Sequence, residues 1–124
     1  MSFYSRLRRF SKRLSSQYPL GVVLDHVFTE GSFSRYRIEV VDRREGKPKP
    51  YSVVEFTTEA VGRRRYIRDF SVYMVEDNVK MLEDSLKPAV LSATRSLVVL
   101  LFKSFKSSRG ARSSVLYVSK FLGI

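Results

Sequence analysis

The chain has 124 residues, with 23 Lys and Arg against 12 Asp and Glu, a formal net charge of +11. That length holds one domain with a core and leaves little for a second, and a hydrophobic content of 44% excludes a disordered basic tail. Cysteine is absent, which excludes disulfides, thiolate zinc sites and cysteine nucleophiles together.

The charge is concentrated at the two ends. Residues 1–20 carry Arg6, Arg8, Arg9, Lys12 and Arg13 with no acid, residues 103–124 carry Lys103, Lys106, Arg109, Arg112 and Lys120 with no acid, and the middle is nearly neutral. Gln17 and Asn78 are the only side-chain amides, a composition compatible with high temperature. The longest apolar run, LVVLLF at 97–102, is far short of the roughly 20 residues that cross a bilayer.

Phe3, Leu7, Phe10 and Leu14 share one helical stripe, with Arg6, Arg9, Lys12 and Arg13 around it, and Pro19 stops this first helix. Such a basic helix docks on a core and contacts phosphate; a transit peptide and a membrane-surface helix are the other readings of the same pattern, the second disfavoured by a modest apolar face.

From residue 21 the period becomes two. GVVLDHVFT (21–29), SFSRYRIEVVD (32–42), YSVVEFTTEAV (51–61) and RRRYIRDFSVYM (63–74) are rich in β-branched and aromatic residues. They are separated by EG, RREGKPKP and Gly62, gaps too short for parallel crossovers. Consecutive antiparallel strands are predicted.

Val75, Val79, Leu82 and Leu86 then form a helical stripe ending at Pro88, and a second helix is predicted from Pro88 to about Lys106. Its LVVLLF stretch is apolar all round and is expected to be covered on both sides. SSRGARSS (107–114) has linker composition, and VLYVSKFLGI is expected to pack on the domain or on a partner. The predicted class is α+β: a four-stranded antiparallel meander packed by an N-terminal helix and two C-terminal helices. Its parts are the basic helix at 1–20, one domain at 21–106, and a linker with apolar tail at 107–124.

Catalytic chemistry finds little foothold. His26 is the only histidine, and its neighbour Asp25 points to the opposite face of a strand, so an ordinary structural role is expected. EGK at 45–47 has the Glu-x-Lys spacing of restriction-type nucleases, with Asp25 or Asp42 as the upstream carboxylate, but glycine and prolines make it a turn. Glu55 and Glu59 share a strand face too far apart to clasp one ion. No phosphate-binding glycine motif is present. The expectation is a non-enzyme without cofactor or metal.

Cations interleaved with rings remain. Phe33, Arg35 and Arg37 share one parity, and Arg64, Tyr66, Arg68 and Phe70 share another. If the two sets face the same way, they form a platform for phosphates and unpaired bases, with Tyr36, Ile38, Val40 and Ile67 turned toward the helices. The candidate phosphate contacts are Arg35, Arg37, Arg63, Arg64, Arg65 and Arg68; the candidate stacking residues are Phe33, Tyr36, Phe56, Tyr66 and Phe70. Taken singly, each aromatic is more often core than platform.

The order of elements resembles small single-strand binders of the positive-cofactor-4-like and Whirly type. More specifically, the basic N-terminal segment, YSVVEFTTEAVGRRRYIRDFSVYMVEDNVKMLEDSL and the helical end resemble the archaeal ThermoDBP-related single-stranded DNA-binding proteins, over residues 20–105. The resemblance implies a thermophilic, nucleoid-associated cytoplasmic protein that holds single-stranded DNA without sequence preference, in a cleft with hydrophobic floor and basic rim. It also implies a homo-oligomer, at least a dimer, built through C-terminal helices. RNA as ligand, and a basic assembly subunit acting through the apolar C-terminal helix, are the alternatives.

Overall fold

A computed structural model describes residues 2–44, 46 and 49–107. The elements run α1 (Phe3–Gln17), β1 (Leu20–Glu30), β2 (Phe33–Asp42), β3 (Lys49–Val61), β4 (Arg64–Met74), α2 (Glu76–Lys80), α3 (Lys87–Ser104) and β5 (Lys106–Ser107). Strands β1 to β4 are sequential antiparallel neighbours, so the α+β meander is as predicted. A two-residue β5, not foreseen, adds to β4 in parallel.

Two hairpins set the register through glycine. Glu30 pairs with Phe33 and Val61 with Arg64, leaving loops of two residues. Gly31 (φ 60°) and Gly62 (φ 62°) take positive φ at the first loop position, while among the described residues no other residue type does. That combination is the glycine-first turn whose twist matches right-handed strands.

Alternation then sorts the side chains. Tyr36, Ile38 and Val40 of β2, Val54 and Phe56 of β3, and Ile67, Phe70 and Val72 of β4 turn to one face, where α1 and α3 cover them. Burying these apolar residues under two helices supplies most of the stabilisation. Among the described residues no helix covers the other face of the sheet.

Each helix is anchored by a specific contact. In α1, Leu7 and Leu14 are buried, the Ser2 side chain caps the first turn by accepting from the Ser5 amide, and the Ser15 hydroxyl donates to the Leu20 carbonyl. The centre of α3 is pinned to β3 by the buried pair Ser52 Oγ and Thr94 Oγ1, 2.7 Å apart. Phe3 at the start of α1 lies 5.2 Å, ring to ring, from Phe105 just past the end of α3, and both rings pack on Phe56.

Two expectations need correction. The helix predicted from Val75 to Pro88 is only the five-residue α2; tight turns, with Leu82 N–H donating to Val79 O and Leu86 N–H to Glu83 O, carry Leu82 and Leu86 into the core without a regular helix. The LVVLLF stretch is not covered all round, because Leu97, Val98 and Leu101 are buried while Val99 is 44% exposed. Residues 108–124, which hold nearly all of the predicted linker and the whole apolar tail, lie outside the described residues.

Candidate nucleic-acid interface

The register brings Phe33, Arg35 and Arg37 onto the same open face as Arg64 and Tyr66. Rows across the strands read Glu30, Phe33, Glu59, Tyr66, then Phe28, Arg35, Thr57, Asp69, then Asp25, Arg37, Glu55, Ser71. The rows also place a carboxylate beside nearly every cation. Arg35 donates to Glu55 (3.0 Å), Asp69 (3.3 Å) and Thr57 Oγ1 (2.9 Å); Arg37 donates to the other Glu55 oxygen (2.8 Å); Arg68 Nε donates to Glu59 (2.6 Å). These are cross-strand pairs that tie the sheet together.

The titration of Glu55 follows from this setting. Burial pushes its carboxyl up, but the hydrogen bonds from Arg37 and Arg35 outweigh burial and hold it below the ordinary glutamate value. Asp25, Glu30 and Glu39 add further negative charge to the face. Arg35, Arg37 and Arg68 are therefore already neutralised, and a phosphate would have to displace a carboxylate to reach them.

The stacking residues divide in the same way. Phe56 is fully buried, Phe70 packs edge-on to Phe102 at 4.9 Å beneath α3, and Tyr36 stacks on Phe56 at 5.3 Å. These three candidates serve the core. Phe70 leaves the parity of Tyr66 because Arg68 is an extra residue in β4: Thr57 pairs with Asp69 but Thr58 with Ile67. Phe33 and Tyr66 do reach the open face, with the Arg68 guanidinium 5.4 Å from the Tyr66 ring centre. Phe28, 44% exposed, joins them although it is not among the candidates read from the sequence, because an extra residue between His26 and Phe28 shifts its parity.

At the β3–β4 corner Gly62 and Arg63 form the loop, Arg63 and Arg64 are exposed, and Arg65 turns back to donate to Thr58 Oγ1. His26 shares a hydrogen bond of 2.6 Å with Thr29 Oγ1. Among the described residues no group of three or more His, Asp or Glu is placed to hold a metal ion. Glu45 and Lys47 of the nuclease-like spacing lie outside the described residues.

The helical side carries a different kind of site. Between α1 and α3 runs a groove of about 910 Å³ lined by Arg6, Arg9, Arg13, Arg95 and Lys103 and, among the described residues, by no carboxylate. Its floor and walls include Phe10, Leu14, Tyr18, Ala89, Ala93, Val99 and Leu100. Helix periodicity explains the arrangement: Arg6, Arg9 and Arg13 follow spacings of three and four along one flank of α1, beside the stripe that docks on the core. Arg8 and Lys12 occupy the other flank, where they line a second hollow against β1. Among the described residues none of these five α1 cations pairs with a carboxylate.

Sequence reasoning finds the α1 cations as an arm, but not that α3 completes them into a groove. Comparison with protein-family models, with curated proteins and with solved structures finds no match to this chain. No helix among the described residues is long and apolar enough to cross a membrane.

Proposed function

We propose that this chain is a non-enzymatic, non-sequence-specific binder of single-stranded nucleic acid, DNA in the first instance, and that the α1–α3 groove is its principal contact. One observation carries the reading: Arg6, Arg9, Arg13 and Lys103 line an open groove with no carboxylate among the described residues of its walls. Cations so placed release counterions when phosphates replace them, which is the main source of nonspecific affinity. The apolar floor with Phe10 and Tyr18 offers surface to unpaired bases, which a duplex keeps inside its stack. The resemblance to ThermoDBP-related proteins, with the archaeal, nucleoid-associated and oligomeric character it implies, belongs to this proposal.

The test is fluorescence anisotropy with labelled single-stranded and duplex oligonucleotides over a salt series. Tighter binding of the single strand is expected, with a log–log salt slope of about −3, as four phosphate contacts at about 0.7 each imply. Absence of binding at low salt, or no preference for the single strand, overturns the reading. A second reading, an assembly subunit, is favoured by Phe28, Phe33, Val61 and Tyr73, each more than 40% exposed on the open sheet face. Sedimentation of the free protein tests self-assembly through that face, and a monomer at all concentrations removes it together with the oligomeric character of the first reading.

A further inference from the structure

The groove has two ends, and at one of them the chain itself turns toward the opposite side of the molecule. Beyond Lys103 the backbone becomes extended at Phe105, whose ring stays inside against Phe56, and β5 then places Lys106 in register with Tyr66. Neighbouring strands lie about 4.8 Å apart, and residues paired in register present their side chains to the same side. Lys106 therefore leaves the helical side and shares the open face with Tyr66.

Arg64, two residues before Tyr66 on the same strand, stands on that face as well. Phe33 lies in the row of Tyr66 with Glu59 between them, a separation of about 9.6 Å, two strand spacings. Glu59 would repel a phosphate there, but Arg68 neutralises it. The result is a line of cations, Arg6, Lys103, Lys106 and Arg64, that turns around the β4 edge and ends at two rings, the half-buried Tyr66 and the exposed Phe33.

We propose that a bound single strand leaves the groove at this end, crosses the sheet edge over Lys106 and lays its next bases on Tyr66 and Phe33. This rests on the groove being the principal contact for the strand. The two halves of the site then have separate tasks. Groove cations supply salt-sensitive affinity for any strand, whereas the rings act only on a strand long enough to turn the edge.

Oligothymidylates of about 5 and about 15 nucleotides, within the range single-strand domains occupy, separate the two halves. Tyr66→Ala should leave the short oligomer unchanged and weaken the long one about 10-fold, with its salt slope unaltered, and Tyr66→Phe should restore it. Lys106→Gln should lower the salt slope of the long oligomer alone, by about 0.7. The doubly substituted Arg9→Gln/Arg13→Gln protein should weaken both.

If Tyr66→Ala binds the long oligomer like the unaltered protein while the Arg9→Gln/Arg13→Gln protein is impaired, the edge crossing is wrong and the groove reading stands. An equal loss on both lengths also overturns the crossing. If neither oligomer binds the unaltered protein, both proposals fall.

Discussion

The open sheet face and the helical face both present arginines, yet across the centre of the sheet they are paired with carboxylates and on the helices they are not. On the sheet, Arg35, Arg37 and Arg68 stand opposite Glu55, Glu59 and Asp69, and the Glu55 side chain is only 16% exposed. On the helices, Arg6, Arg9 and Arg13 face a groove that has no carboxylate among the described residues. An arginine held across strands by a half-buried glutamate has a structural task, and its charge is not available to a ligand. The same residue type therefore serves cohesion in one layer and, in the proposed function, recruitment in the other.

The sharpest way to break this contrast is to strip the groove. Arg6→Gln/Arg9→Gln/Arg13→Gln should lower affinity for single-stranded DNA about 100-fold near 0.1 M salt and flatten the salt slope by about 2, as three lost phosphate contacts require. Arg35→Gln/Arg37→Gln should not, and an equal loss from both variants in anisotropy titrations would erase the distinction between the faces.

Asp42 separates folding from binding. It is buried at the end of β2, where it accepts from Arg44 and from the Tyr51 hydroxyl at 2.6 Å. The Arg44 hydrogen bond, against burial and aided by Tyr51, holds its carboxyl well below the usual range, while burial and then the bond to Asp42 push Tyr51 up to about 12. A depressed carboxylate contributes stability that is present above its unfolded value of about 3.9 and lost as pH falls through the folded one. Asp42→Asn should cost about 2 kcal/mol at pH 7, read by chemical denaturation, and should flatten the acid limb of a melting-temperature profile. The salt slope for DNA should not change.

Glu55→Gln asks whether the sheet can be converted. Freeing Arg37, and leaving Arg35 only its exposed pair with Asp69, should tighten binding of single-stranded DNA about five-fold at 0.1 M salt, and no gain would mean that those arginines cannot reach a strand at all. The smallest effect is expected at Lys12, on the flank of α1 away from the groove. Lys12→Gln should change affinity within about two-fold, since screened charges outside the contact add little. A loss matching that of Arg9→Gln would move the strand to the other side of the helix.

Much of the architecture is legible in the residues alone. Period-two runs punctuated by Gly31 and Gly62 give strands close to those observed, and parity puts Arg35, Arg37, Arg64 and Tyr66 on one face with Ile38 and Ile67 on the other. What parity does not carry is an extra residue: Arg68 in β4 sends Phe70 inward, and the irregularity after His26 sends Phe28 outward. The electrostatics are hidden for another reason. Spacing within one strand only sets Glu55 and Glu59 aside as too far apart to share a metal ion, and does not show that their partners are arginines one strand away, a pairing that cross-strand register makes the default. The groove escapes sequence reading because its walls, α1 and α3, are far apart along the chain and meet only through packing.

That meeting bears on the order in which the molecule acquires its parts. The sheet is assembled from consecutive hairpins, contacts that close small loops and form early. Phe3 reaches Phe105 only across almost the whole described chain. During synthesis the N-terminal helix emerges first, yet it has no finished seat until α3 has followed it out. The sheet, with its paired arginines, is complete before the cationic groove exists, so the binding proposed for the groove would begin in a nascent chain only when its fold closes on itself.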